Sequence, residues 1–166
     1  MWRNSENCGK RGVVLFRGIY PLNMDSKGRI AIPTKLRPEL HERCDGKLMV
    51  TADPDRCLML YTFPDWEKVE KQFDSRPTLN QSVRNLKRLI IGHAMECDMD
   101  GQGRISFSEA LRQFASLDKQ VVLVGQTSKF EIWNEAAWNE RCAALCNDIS
   151  LNALDQLDPA VADLVF

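Results

Sequence analysis

The chain has 166 residues, 44% of them hydrophobic and 27% charged, a balance typical of globular domains. Its apolar runs are far shorter than the roughly 18 residues of a membrane-spanning helix, and the first residues lack the apolar core of a secretory signal. We therefore expect a cytosolic protein whose six cysteines are reduced. The net charge is −1, but residues 1–43 hold nine Lys/Arg against four acids, a local charge of +5. Attraction to a polyanion is expected at this N-terminal quarter.

The chain contains an internal repeat. The segment Met-Asp-Ser-Lys-Gly-Arg-Ile at 24–30 recurs as Met-Asp-Gly-Gln-Gly-Arg-Ile at 99–105, an offset of 75 residues. The same offset carries Leu36-Arg37 onto Leu111-Arg112. Two copies of one unit therefore make up most of the protein.

Each copy is predicted to begin with two strands joined by a tight Asp-x-x-Gly-Arg turn. Gly28 and Gly103 suit such a turn because glycine adopts positive φ at no steric cost. Asp25 and Asp100 suit it because an aspartate side chain can accept a hydrogen bond from the backbone two residues further on. We therefore expect these four residues to set the shape of the two turns.

The remaining elements follow from hydrophobic periodicity and from turn residues. Short helices are predicted at about 34–43 and 108–116, hairpins at 47–61 and 120–133, a helix from Pro64 with Trp66 facing the core, and a helix over 79–91. The predicted organisation is an N-terminal extension (1–14), a first repeat (15–76), a linking helix (77–91), a second repeat (92–146) and an acidic flexible tail (147–166). The fold class is α+β, built from two tandem β-α-β-hairpin-α repeats.

One loop resembles a calcium site. Residues 98–109, from Asp98 to Glu109, match a 12-residue EF-hand loop at positions 1, 3, 6 and 12. The equivalent loop of the first copy has Lys27 at position 5 and Thr34 at position 12, which adds a positive charge and removes the bidentate ligand. A calcium-binding module is therefore an alternative, and the turn chemistry shared by both copies is the favoured explanation.

The basic turn of the first copy indicates a DNA contact. An arginine on a two-stranded β-ribbon can donate two hydrogen bonds to guanine in the major groove. Arg29 and Lys27 lie in the +5 segment, so we expect them to bind DNA. For Arg104, which has Gln102 in the place of Lys27, we expect a structural pairing with Asp100.

Signatures of catalysis or of bound metal are missing from the sequence. It has no Gly-rich phosphate loop, no Gly-x-Ser-x-Gly motif and two histidines. Cys142 and Cys146 lie one helical turn apart, but no histidine stands at ligand spacing from them. We expect a binding protein without a cofactor or a metal, and not an enzyme.

The motifs together resemble the MraZ family. The matching segments are Leu-Phe-Arg-Gly at 15–18, the Asp-x-x-x-Arg motifs at 25–29 and 100–104, Leu-Met-Leu-Tyr at 58–61, Arg-Leu-Ile-Ile-Gly-His-Ala at 88–94, Leu-Val-Gly-Gln at 123–126 and Lys-Phe-Glu-Ile-Trp at 129–133. The resemblance covers about residues 15–145. Residues 1–14 precede the usual start of the family, and Leu15 stands in the place of the initiator methionine, so we expect Leu15 to be the true start of the protein.

The resemblance implies an AbrB-like, swapped-hairpin fold with a double-split β-barrel core, in which the two halves intertwine. It also implies a bacterial transcriptional regulator, expected to be a repressor, that forms ring-shaped homo-oligomers on the nucleoid. Its implied partner is double-stranded promoter DNA with direct repeats, upstream of the division and cell-wall gene cluster that includes its own gene. A structural ring protein without specific DNA contacts is a further alternative.

The resemblance and the charge pattern together assign roles to individual residues. Arg29 and Lys27 are expected to enter the DNA groove or to clamp phosphates, with Arg17 as a contact to the DNA backbone. Asp25 is expected to set the first turn. Arg104 is expected to hold the second hairpin or a contact between subunits.

Overall fold

The computed structural model describes residues 15–77 and 79–148. The strands are β1 (Ile19–Asn23), β2 (Arg29–Ala31), β3 (Leu48–Ala52), β4 (Leu58–Thr62), β5 (Met95–Glu96), β6 (Arg104–Ser106), β7 (Gln120–Gly125) and β8 (Lys129–Asn134). The helices are α1 (Arg37–Cys44), preceded by a 3-10 turn at Thr34–Leu36, α2 (Phe63–Asp74), α3 (Gln81–Ile90), α4 (Glu109–Phe114) and α5 (Glu135–Asp148). None of the helices in these ranges has the length and apolar character needed to cross a lipid bilayer.

A six-stranded antiparallel sheet is built by exchange of strands between the two repeats. Its order is β1-β7-β8-β4-β3-β5, so β1 of the first repeat pairs with β7 of the second, and β5 of the second pairs with β3 of the first. The two hairpins meet in the middle, where β4 pairs with β8. This architecture confirms the α+β class and the intertwined arrangement that the family resemblance implies.

A separate two-stranded ribbon joins β2 of the first repeat to β6 of the second. The strands are antiparallel, with Ile30 opposite Ile105. The prediction that the basic turn lies at the tip of a ribbon within the first repeat is wrong, because β1 and β2 share a bridge at Met24 and Ile30 rather than a ladder. The strand β1 turns away into the large sheet, where Asn23 pairs with Gln120, so β2 finds its partner in the other repeat.

Two hydrophobic clusters include residues of the large sheet, and the larger one also includes residues of the ribbon. The larger cluster contains the inward residues of both repeats, including Ile30 and Ile105, each 1% exposed. The smaller one contains Tyr61 and Trp66, whose ring centroids are 5.7 Å apart. The prediction that Trp66 packs in the core is confirmed, since this side chain is 1% exposed.

The helix starts follow local sequence signals. The hydroxyl oxygen of Thr62 accepts a hydrogen bond from the N–H of Asp65 at the start of α2, and Pro64 occupies its first turn. Asn80 caps α3 through the N–H of Ser82, at 2.8 Å. The predicted helix at 34–43 is confirmed in outline, but its first residues form the 3-10 turn because Pro38 sits in the first turn of α1.

The described residues divide into two compact units after Asn134, and α5 belongs to the second unit. The predicted extension at 1–14 lies outside the described residues. So does the predicted tail beyond residue 148.

Candidate nucleic-acid interface

The first Asp-x-x-Gly-Arg turn is organised around the carboxylate of Asp25. Its Oδ1 accepts hydrogen bonds from the backbone N–H groups of Lys27 and Arg29, both at 2.9 Å. Its Oδ2 accepts from Nε of Arg29 at 2.8 Å and lies 2.7 Å from Nη2. Gly28 has φ of 73°, in the left-handed region. The predicted roles of Asp25 and Gly28 in the turn are thus matched by the geometry.

The second turn has the same geometry. Oδ1 of Asp100 accepts from the N–H groups of Gln102 and Arg104 at 2.9 Å, and Oδ2 accepts from Nε of Arg104 at 2.9 Å. Gly103 has φ of 74°. The pairing predicted for Arg104 is therefore present, and Arg29 makes the same pairing with Asp25. The predicted contrast between these two arginines is therefore not visible in their pairing with aspartate.

The hydrogen bonds of the turns lower the pKa of both aspartates. For Asp25 the largest cause is the hydrogen bond from the Arg29 side chain, and for Asp100 it is the N–H of Arg104. Both carboxylates are therefore ionised near neutral pH, and each fixes the direction of its guanidinium group. An arginine held in this way loses less conformational entropy when it binds a ligand.

Arg29 and Arg104 share the outward face of the ribbon. In each strand the middle isoleucine is buried and the residues on either side are partly or fully exposed. Arg29 lies opposite Ser106, and Arg104 lies opposite Ala31. Because residues directly opposite each other point to the same face of an antiparallel pair, the two arginines occupy diagonal positions on one exposed face.

The surroundings of the two turns differ in charge. The backbone N–H of Met24 donates to the carbonyl of Lys119 at 2.8 Å, and Met99 donates in the same way to Gly46 at 2.9 Å. The first turn therefore has Lys27 and Lys119 where the second has Gln102 and Gly46. Lys119 could not be predicted at this site, because it belongs to the other repeat and only the fold brings it beside the first turn.

A cleft adjoins the first turn and combines residues of both repeats. It is lined by Asp25 and Ser26 from the turn, and by Arg112 and Lys119 among residues of the second repeat. Its charges are mixed, since Asp118 also lines it. This cleft therefore brings Arg112 and Lys119 of the second repeat beside the first turn.

Arg17 lies away from the basic turn. It precedes β1, and its backbone passes beside Gly125 at the end of β7, whereas Asp25 follows the other end of β1. Five strand residues span about 17 Å, so the structure does not bring Arg17 together with Lys27 and Arg29. Arg17 is exposed, and a contact from it would fall on a different part of a long ligand.

The loop from Asp98 to Glu109 is a strand-turn-strand segment and not a helix-loop-helix. Both oxygens of Asp100 accept hydrogen bonds from the loop itself, and Glu109 accepts one from Gln113 at 3.0 Å within α4. Among residues 15–77 and 79–148, no three His, Cys, Asp or Glu side chains are grouped closely enough to hold a metal ion. The described geometry gives no support to the calcium alternative.

Comparison with known proteins identifies both repeats. A family model described as "MraZ protein, putative antitoxin-like" matches residues 15–89 and again 90–157. "Transcriptional regulator MraZ" of Methylococcus capsulatus is 47% identical over 152 residues, which is 92% of this chain and all of the relative. The proteins of the same name from Thioalkalivibrio sulfidiphilus and Nitrosomonas europaea are 52% and 54% identical, each over 75% of this chain and over 83% and 84% of the relative.

Proposed function

The chain belongs to the MraZ family, and from this membership we propose that it is a transcriptional regulator that binds promoter DNA through its first Asp-x-x-Gly-Arg turn. It acts as a sequence-specific repressor and not as an enzyme. In keeping with the family resemblance, its target is the promoter of the division and cell-wall gene cluster, including that of its own gene. Its place is the cytoplasm, in association with the nucleoid.

The observation that carries the proposal is the orientation of Arg29 on the exposed face of the ribbon. Asp25 holds its guanidinium through Nε and Nη2, and Lys27 and Lys119 lie beside the same turn. An arginine with two N–H groups toward O6 and N7 of a guanine discriminates by about 1–3 kcal/mol. Arg29 reads the base edge, and Lys27 binds neighbouring phosphates.

The proposal assigns supporting roles to the other basic residues. Arg17, at the far end of β1, contacts the DNA backbone away from the base that Arg29 reads. Arg104 contributes mainly to the second turn or to a contact between subunits, because its turn lacks the lysines of the first. Asp100 and Gly103 shape that second turn.

A ring-shaped homo-oligomer reconciles DNA binding with a net charge of −1. One protomer offers a small basic turn, but several protomers in a ring present several such turns to direct repeats. Linked contacts of this kind raise the apparent affinity by about 10²- to 10⁴-fold. A ring without specific DNA contacts is the competing function, and it predicts no preference between promoter and scrambled DNA.

Substitution of Arg29 tests the proposal. Arg29→Ala should lower affinity for the DNA upstream of the protein's own gene by about 10- to 100-fold while the oligomer stays intact. Arg104→Ala should weaken assembly or stability more than DNA binding, and Lys71→Ala on α2 serves as a matched loss of positive charge away from the ribbon. Unchanged promoter binding by Arg29→Ala, measured by fluorescence anisotropy, would refute the role of the first turn.

A further inference from the structure

A second pair of arginines, Arg37 and Arg112, recurs at the repeat offset of 75 residues and is not used by the proposed DNA contact. Arg37 begins α1, and Arg112 lies in α4. Both side chains are partly buried.

Each of these arginines covers the glycine of the turn in the other repeat. A Cβ atom added to Gly28 would lie 2.8 Å from Nε and Cζ of Arg112. A Cβ atom added to Gly103 would lie 2.6 Å from Cδ of Arg37 and closer still to its guanidinium. The absence of a side chain at each glycine therefore makes room for an arginine, in addition to allowing positive φ.

Beside each arginine, a backbone hydrogen bond joins the two repeats. The N–H of Ile32 donates to the carbonyl of Gly103 at 2.8 Å, and the N–H of Phe107 donates to the carbonyl of Gly28 at 3.2 Å. Nε of Arg37 donates to the carbonyl of Ile32 at 2.8 Å. Arg37 thus fastens the end of β2 against the turn that precedes β6.

Arg112 lies over Gly28 as Arg37 lies over Gly103, but its Nε does not make the hydrogen bond that Nε of Arg37 makes. Its Nε is buried and has no hydrogen-bond partner among the described residues. Its contribution there is contact of the flat guanidinium group with the backbone of the first turn. The planar guanidinium group of Arg112 would fix the position of Gly28 and hence of the adjoining Lys27 and Arg29.

We propose that Arg112 and Arg37 are positioning residues that each hold the turn of the opposite repeat in its observed conformation, and that Arg112 in this way holds the first turn in the conformation that binds DNA. The role of Arg112 rests on the proposed function, because it acts through Arg29 of the first turn. Arg37 does the same for the second turn. Because each arginine contacts the turn of the other repeat, the shape of each turn depends on the folding of both repeats.

Three variants distinguish positioning from a simple contribution of charge. Arg112→Ala should lower affinity for the promoter by about tenfold and leave affinity for scrambled DNA and the oligomer unchanged. Arg112→Lys keeps the positive charge but has no planar group, so it should lose about as much specific affinity as the alanine variant. Arg37→Ala should have a smaller effect. Full recovery of promoter affinity in Arg112→Lys would overturn the proposal.

Amide hydrogen exchange, measured without DNA, tests whether each arginine holds the turn of the opposite repeat. Arg112→Ala, or Arg112→Lys where the alanine variant does not fold, should speed amide exchange in residues 24–30 and leave residues 99–105 protected. Arg37→Ala should give the reverse pattern. If wild-type protein has no preference for its promoter, the proposed function fails, and the exchange pattern still decides whether the arginines hold the turns. Faster exchange in the arginine's own repeat, or no change, would overturn the proposal.

Discussion

The β2–β6 ribbon predicts a symmetric loss of stability when its two central isoleucines are shortened. Ile30 and Ile105 are each 1% exposed, lie opposite each other, and belong to one hydrophobic cluster. Removal of three carbons from a buried isoleucine costs about 2–5 kcal/mol. We expect Ile30→Ala and Ile105→Ala each to lower the free energy of unfolding by about 3 kcal/mol, because their surroundings are equivalent. For a chain of this size, that loss lowers Tm by about 6–12 °C.

The double variant tests whether the two side chains pack against each other. Opposite residues on one face of an antiparallel pair are about 5 Å apart at Cβ, so their effects should differ from additivity by at least about 0.5 kcal/mol. The assay is urea unfolding at one fixed protein concentration, which keeps any oligomer term constant. Ser106→Ala, on the exposed face of the same ribbon, should change stability by less than about 0.5 kcal/mol.

Two results would refute the pairing of β2 with β6. One is a near-neutral effect of either isoleucine variant, which would mean that the side chain is not buried between the repeats. The other is strict additivity of the double variant, which would mean that β2 and β6 do not pair.

Three further predictions concern charged groups. Asp65→Asn should lower the free energy of unfolding by about 2 kcal/mol in urea, because Asp65 accepts hydrogen bonds from Thr62 at 2.8 Å and from Arg43 at 3.1 Å. The pKa of Asp25 and Asp100 lies below 3.8 in the fold, so their contribution to stability is present above that pH and is lost as the pH falls through the lowered values. An acid titration of Asp25→Asn should therefore show a flatter loss of stability than the wild type. Arg17→Ala should reduce the salt slope of DNA binding by about one and weaken promoter and scrambled DNA alike.

The elements within each repeat could be predicted because their signals are local. Glycine at positive φ and an aspartate that accepts backbone hydrogen bonds describe a turn at 25–29 without reference to the rest of the chain. Pro64 likewise placed the start of α2, and hydrophobic periodicity over 79–91 placed α3, close to their observed bounds. These predictions are confirmed because no tertiary contact competes with the local preference.

The pairing between repeats could not be derived from periodicity alone. Short strands such as β2, with three residues, have no pattern that specifies a partner. Whether β2 pairs with β1 or β6 depends on where β1 goes, and β1 pairs along all five of its residues with β7 of the other repeat. The family resemblance, and not the alternation of residues, gave the exchanged arrangement.

The chemistry of the site was predicted in part. Asp25, Lys27, Gly28 and Arg29 form one organised turn, as expected. The contrast between Arg29 and Arg104 was based on neighbours in sequence, whereas the pairing with aspartate is the same in both. The cations that do distinguish the turns include Lys119, which comes from the other repeat and is distant in sequence.

Binding of the wild-type protein to the DNA upstream of its own gene, compared with scrambled DNA of equal length at physiological salt, tests the central claim most directly. The measurement is made with calcium and with a chelator, and repeated at several salt concentrations. We predict a clear preference for the upstream DNA that calcium does not change and that weakens steeply as salt rises. Equal binding to both DNAs would contradict the account and favour a structural assembly, and a preference that needs calcium would instead assign the function to the loop from Asp98 to Glu109.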